Sequence, residues 1–135
     1  MTKLNIEVPR YWNTKEPERD KRIADVIFKG AGSQEEVSSA WYSYLHDRVQ
    51  FPFYGYIKTP DSTPSVTKSS RIRFVKLAPP DRCQGGHIIL IGGSMLDDNR
   101  WHYYFLCDLQ KMETDISGGD ALLDYLYWIK YLKTR

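Results

Sequence analysis

From Ala40 to Tyr56 the chain reads AWYSYLHDRVQFPFYGY. Seven aromatic rings surround a His46-Asp47 pair, and the stretch breaks at Pro52. Working back from it, Val37, Ala40, Trp41, Tyr44, Leu45 and Arg48 fall at i, i+3, i+4, i+7, i+8 and i+11, one stripe of a helix. Ser33 with Glu36 three residues later is a capping box at the start of that period. Phe51-Pro52-Phe53 stops the helix, because a proline disfavours a helical residue before it. Beyond Pro52 the period changes from that of a helix to that of a strand. The stretch therefore joins a helix to a sheet, and its rings are the seam.

Outward from there, TKEPERDKRIADVIFKG (14–30) predicts an earlier helix. Thr14 is its expected N-cap, Pro17 sits in its first turn, and Ile23, Val26 and Ile27 form its apolar stripe. Lys29-Gly30 ends it. Downstream, FYGYIKT reads as a strand, PDSTPSVTKSS (60–70) as a loop and RIRFVKL as a second strand with one basic face. HIILIGGSML and RWHYYFLCDL flank Asp97-Asp98-Asn99 as a hairpin, and Gly92-Gly93 suggests a bulge or bend. SGGDALLDYLYWIKYLKTR closes the chain as a helix capped by Ser117 or Asp120, with basic residues in its last turn. The expected architecture is a single α+β domain over residues 1–135. Two N-terminal helices precede a small antiparallel SH3-like barrel or curled sheet of four to five strands, and an aromatic helix follows.

The 135 residues fit one domain. No apolar run is long enough for a membrane span, and the N-terminus lacks the apolar stretch of a signal peptide. Cys83 and Cys107 have no paired spacing, which predicts free thiols and a cytoplasmic setting. Net charge is only +2, but it is split. Lys58–Ser94 carries six Lys/Arg against two acids, and Met95–Tyr125 carries seven acids against two bases. Such a dipole steers charged partners.

Several chemistries find little support. Cys83 and His87 offer two zinc ligands where a structural site takes four. No Gly-x-Ser-x-Gly elbow or His-Glu-x-x-His pair occurs, and the glycine pairs do not lead into a helix as a phosphate loop would. The expectation is a non-enzymatic protein. Basic strand residues among aromatics suit a nucleic-acid face, but the near-neutral balance disfavours nucleic acid. Asp97-Asp98-Asn99 places three oxygen-bearing side chains in one turn and Asp47 ends the aromatic helix. Both are oxygen donors of the kind calcium takes, although the triplet is also good turn chemistry.

WYSYLHDRVQFPF (41–53) resembles the signature of the small calcium-binding protein family first described from cyanobacteria. Members carry a similar Trp-Tyr-x-Tyr-Leu-x-Asp followed by Phe-Pro-Phe, and an aromatic C-terminal helix with a Trp like Trp128. The likeness spans about residues 20 to 130, and Trp41 to Phe53 is its specific part. It implies a non-enzymatic α+β domain with an SH3-like sheet that holds calcium through acidic side chains, with Asp47, Asp97 and Asp98 as the ligands here. This chain departs from the acidic family pattern, with nineteen Lys/Arg against seventeen Asp/Glu. His46 stands where an acid usually precedes the Asp, and Phe28-Lys29-Gly30 where another acid is expected. Ligand charge tunes calcium affinity, so weak or lost binding is expected.

A second expectation is a protein-binding inhibitor or immunity-type module that captures a protein with a basic surface. Its contact residues would be Asp120, Asp124, Tyr127, Trp128 and Tyr131, since the terminal helix is apolar around most of its circumference and interfaces are rich in Tyr and Trp.

Overall fold

The computed structural model describes residues 4–9, 11–58, 69–83, 86–94 and 101–133. Three helices and six strands follow in the order β1 (Leu4–Glu7), α1 (Pro17–Ile23), α2 (Gln34–Arg48), β2 (Phe53–Lys58), β3 (Ser69–Leu77), β4 (Ile89–Ser94), β5 (His102–Phe105), β6 (Leu109–Thr114) and α3 (Ile116–Tyr127). All strand pairs are antiparallel, and the sheet order is β1-β6-β2-β3-β4-β5. β1 and β5 are edges, so the sheet is open rather than a closed SH3-like barrel.

α2 forms as its sequence predicts. The Ser33 hydroxyl accepts from the Glu36 amide at 3.2 Å and donates to its carboxylate at 3.4 Å. Glu36 reaches one residue beyond the usual capping-box amide, to Gly32 N at 3.3 Å. The helix ends at Arg48, and the chain turns into β2 through a cis Phe51–Pro52 bond. Trp41, Tyr44 and Leu45 are buried, and Trp41 has no exposed surface.

α1 begins at Glu16 rather than Thr14, with Pro17 in its first turn. It opens into a π-helical turn over Ala24–Phe28, closed by Lys29 N donating to Ala24 O at 3.0 Å. The wider turn shifts the stripe: Ile23 and Ile27 are buried, but Val26 is 42% exposed.

Six strands are described where four to five were expected, because β1 and β6 escape the sequence pattern. RWHYYFLCDL is not one strand, because Leu106–Asp108 form a 3-10 turn between β5 and β6. β6, LQKMET, inserts between β1 and β2 although most of its residues favour helix; pairing on both sides overrides propensity. Ser69 and Ser70 belong to β3 rather than to the loop, and the rest of the loop, 60–68, lies outside the described residues. The β4–β5 hairpin pairs Leu90 with Tyr104 and Ile91 with Tyr103, while its turn, Asp97-Asp98-Asn99, lies outside the described residues. The irregularity expected at Gly92-Gly93 lies on the opposite strand, between Phe74 and Lys76.

α3 is capped by Asp115, whose carboxylate accepts from Gly118 N at 2.6 Å, not by Ser117 or Asp120. Gly118 and Gly119 lie inside the helix, because a Cβ on Gly119 would stand 2.2 Å from the Ile6 Cδ1 atom. β1 covers that side of α3, and α2 covers another through Trp41, whose ring centroid lies 5.4 Å from those of Tyr125 and Trp128. An apolar circumference is thus explained by burial.

Candidate functional site

Asp47 leaves the last turn of α2 with its side chain 77% exposed. Its carboxylate lies 3.5 Å from His46 Nδ1. Beside His46 opens a cleft of about 370 Å³ lined by Tyr42, His46, Phe51, Lys76, Leu77 and Pro79. Its ionisable groups are a tyrosine, a histidine and a lysine, so it supplies no carboxylate to a cation. Asp97 and Asp98 lie outside the described residues. Among the described residues no three His, Cys, Asp or Glu side chains converge as metal ligands would. Calcium takes six to eight oxygens, from carbonyls and water as well as carboxylates, and of the expected ligands the described residues include Asp47 alone.

The strongest electrostatic feature is Asp124, fully buried in α3. Its Oδ1 accepts from Arg19 Nη1 at 2.8 Å and from Arg22 Nη2 at 2.7 Å. Its Oδ2 accepts from Arg22 Nε at 2.7 Å and from Tyr44 OH at 2.6 Å. A carboxylate has about four lone-pair sites, and all are taken. Burial alone would push this carboxyl up, but the hydrogen bonds from Arg22, Tyr44 and Arg19 outweigh it and hold it below the usual carboxylate range. Two guanidiniums occupy the surroundings in which a bound cation would otherwise balance the charge.

The side chains expected to bind a partner divide. Asp124, Tyr127 and Trp128 are buried, so they do not form an acidic and aromatic surface. Tyr127 OH donates to Asp20 Oδ1 at 2.8 Å and accepts from Glu16 N at 3.1 Å, and its ring meets Trp12 edge-on at 5.4 Å. Its duty is to fasten α3 to α1. Tyr131 is half-buried and stacks on Tyr127 at 5.1 Å. Of the five only Asp120 is exposed, and its carbonyl accepts from Arg19 Nη1 at 3.5 Å.

Sequence reasoning missed the Arg19–Arg22–Asp124–Tyr44 cluster. A signal was present: one carboxylate stands in the middle of an otherwise apolar helix, where burial requires a paired cation. Arg19 and Arg22, three apart on α1, share a face that can supply it. Cys83 and His87 have separate partners. The Cys83 thiol is buried and accepts from Ile89 N at 3.4 Å, while the His87 ring lies edge-on to Phe105 at 5.6 Å. Burial pushes the Cys83 and Cys107 thiols up, away from the reactive thiolate. No described helix is long and apolar enough to cross a membrane.

Comparison with known proteins places this architecture. The solved crystal structure of Anabaena CcbP is similar over 89% of this chain and 95% of that one, with a TM-score of 0.74 and 26% identity. A second structure, described as a calcium binding protein in the calcium-binding form, covers 85% of this chain and 91% of that one, with a TM-score of 0.74 and 27% identity. No curated protein matches the chain. The CcbP family model, described as calcium binding, matches residues 21–129, and the chain belongs to this family of calcium-binding proteins.

Proposed function

We propose that this chain is a non-enzymatic binding protein of the calcium-binding type whose affinity for calcium is weak, with Asp47, Asp97 and Asp98 as the ligands. The observation that carries the reading is the state of Asp124: its four acceptor sites are filled by two arginines and a tyrosine. The buried carboxylate of the helical layer is thereby spent on structure, and the folded state needs no metal to balance it. Asp47, exposed and beside His46, brings one carboxylate, and affinity falls with each ligand charge removed. The raised thiols of Cys83 and Cys107 speak against thiol catalysis.

Calorimetric titration of calcium into the wild-type chain and into the Asp97→Asn, Asp98→Asn double variant tests the reading. The expected dissociation constant is on the order of a millimolar, lost in the double variant. Micromolar binding would overturn the weakness, and heat unchanged in the double variant would overturn the ligand assignment.

A further inference from the structure

The outward face of the sheet carries exposed rings and cations that are not among the proposed calcium ligands. Phe53, Ile72, Phe74 and Leu90 are buried against the helices, so their strand neighbours point the other way. Cross-strand register then sets Tyr54 beside Arg73, Tyr56 beside Arg71, Ile91 between Lys76 and Tyr103, and Ile89 beside Phe105. Toward the β5 edge the large apolar side chains are bare: Tyr103 is 53% exposed, Phe105 48%, and Trp101, just before the strand, 57%. Rings two residues apart on a strand stand about 7 Å from one another on one face.

Cations lie over two rings of this face. Arg82 lies over the Tyr103 ring at 5.3 Å, and Arg71 over Tyr54 at 3.9 Å. Two acids among the described residues of the face are already engaged, Glu113 by Arg71 at 3.0 Å and Glu7 by Lys111 at 3.9 Å. Arg73, and Lys76, which also borders the cleft beside His46, have no ion-pair partner among the described residues. The near-neutral total charge hides this local surplus, because acids such as Asp120 and Asp124 belong to the helical layer.

We propose that this face binds single-stranded nucleic acid, with bases stacking on Trp101, Tyr103 and Phe105 and phosphates drawn to Arg73, Lys76 and Arg82. Exposed flat rings beside unpaired cations match a ligand that alternates π-faces with anionic groups. An acidic polypeptide would satisfy the cations and leave the rings without matching partners. A second copy docked face to face would oppose Arg73 and Lys76 to like charges. In duplex DNA the base faces are hidden within the stack.

The test is fluorescence anisotropy of a labelled oligothymidylate about 12 nucleotides long with the full chain. Binding in the micromolar range at low salt is expected, weakening steadily as salt rises. Tyr103→Ala and Phe105→Ala should each weaken it about tenfold. Arg73→Gln and Lys76→Gln should flatten the salt dependence, and Lys21→Gln on α1 should change nothing. Circular dichroism checks that the variants fold, and Trp101→Ala, outside the strand, repeats the ring test if a β5 variant does not. Absence of binding, ring variants that bind like wild type, or equal competition by polyglutamate would each overturn the proposal, the last assigning the face to acidic proteins.

Discussion

Tyr44 and Asp124, 80 residues apart in sequence, share a 2.6 Å hydrogen bond in the interior. The bond ties the aromatic helix α2 to the terminal helix α3, and Arg19 and Arg22 tie both to α1. Three helices thus converge on one carboxylate.

Removing that carboxylate leaves two cations facing apolar helices. Asp124→Ala should cost about 3 kcal/mol, the low end for a broken buried pair, because the Arg22 side chain keeps 39% of its exposure. Urea unfolding followed by circular dichroism measures it. A cost near zero would mean that the arginines turn to solvent without penalty, and that the cluster is not what holds α1 in place.

The same carboxylate sets an acid limit. Its folded pKa lies below the ordinary carboxylate value of 3.8, so the folded state binds the proton less readily than the unfolded chain does. The stabilisation is fully present above about pH 4, and falls as pH drops through the lower folded value. Wild-type stability should therefore decline more steeply below pH 4 than that of Asp124→Asn. Parallel melting-temperature curves for the two proteins between about pH 2 and pH 6 would contradict this.

Tyr44 sets a corresponding alkaline limit. Burial first, then the hydrogen bond to Asp124, pushes its phenol from 10.0 up to about 12. The folded state holds this proton more tightly, so its contribution is intact below pH 10 and is lost as pH rises toward 12. Tyr44→Phe keeps the ring beside Trp41 but removes the donor, and should cost about 1.5–3 kcal/mol at neutral pH. The variant should also lose one tyrosinate component that titrates well above the ordinary 10.0 in the folded protein.

These relationships show which parts of the molecule were readable from its residues. α2 was legible because Ser33, Glu36 and the Trp41–Leu45 stripe agree with one another, and local agreement of that kind survives tertiary packing. The β4–β5 hairpin was legible for the same reason. β6 was not, since LQKMET becomes a strand only through partners on both sides. Nor were the duties of Asp124 and Tyr127, which depend on α1, more than 100 residues away. An acid and a tyrosine on an aromatic helix look alike in sequence whether they meet a partner protein or their own first helix. Of the three expected calcium ligands, only Asp47 falls among the described residues, and it is open to solvent.

Gly92 is a test of how closely the sheet packs. A Cβ there would stand 2.8 Å from the Arg73 carbonyl oxygen and 3.0 Å from the Phe74 ring. The carbonyl belongs to the β3 ladder and cannot swing aside. Gly92→Ala should therefore destabilise by about 1–3 kcal/mol, against the usual benefit of replacing a glycine within a strand. A stabilised Gly92→Ala would mean that β3 and β4 can separate at the irregularity beside Phe74.

The opening stretch offers the sharpest contrast, because its two most distinctive residues should fail in different ways. Trp41 has no exposed surface and lies within 6 Å of Tyr44, Tyr125 and Trp128, measured between ring centroids. Trp41→Ala removes the ring on which α2 and α3 close, and should cost about 3–5 kcal/mol. That is a large part of the stability of a domain this size. Asp47 sits at the negative end of the same helix, exposed, where a carboxylate gains nothing from the dipole. Asp47→Ala should change metal-free stability by less than about 0.5 kcal/mol. If it is a calcium ligand, the difference should appear only when calcium is added, as a smaller rise in melting temperature than wild type shows. If Asp47→Ala unfolds the metal-free chain, the residue is structural and its assignment as a ligand fails.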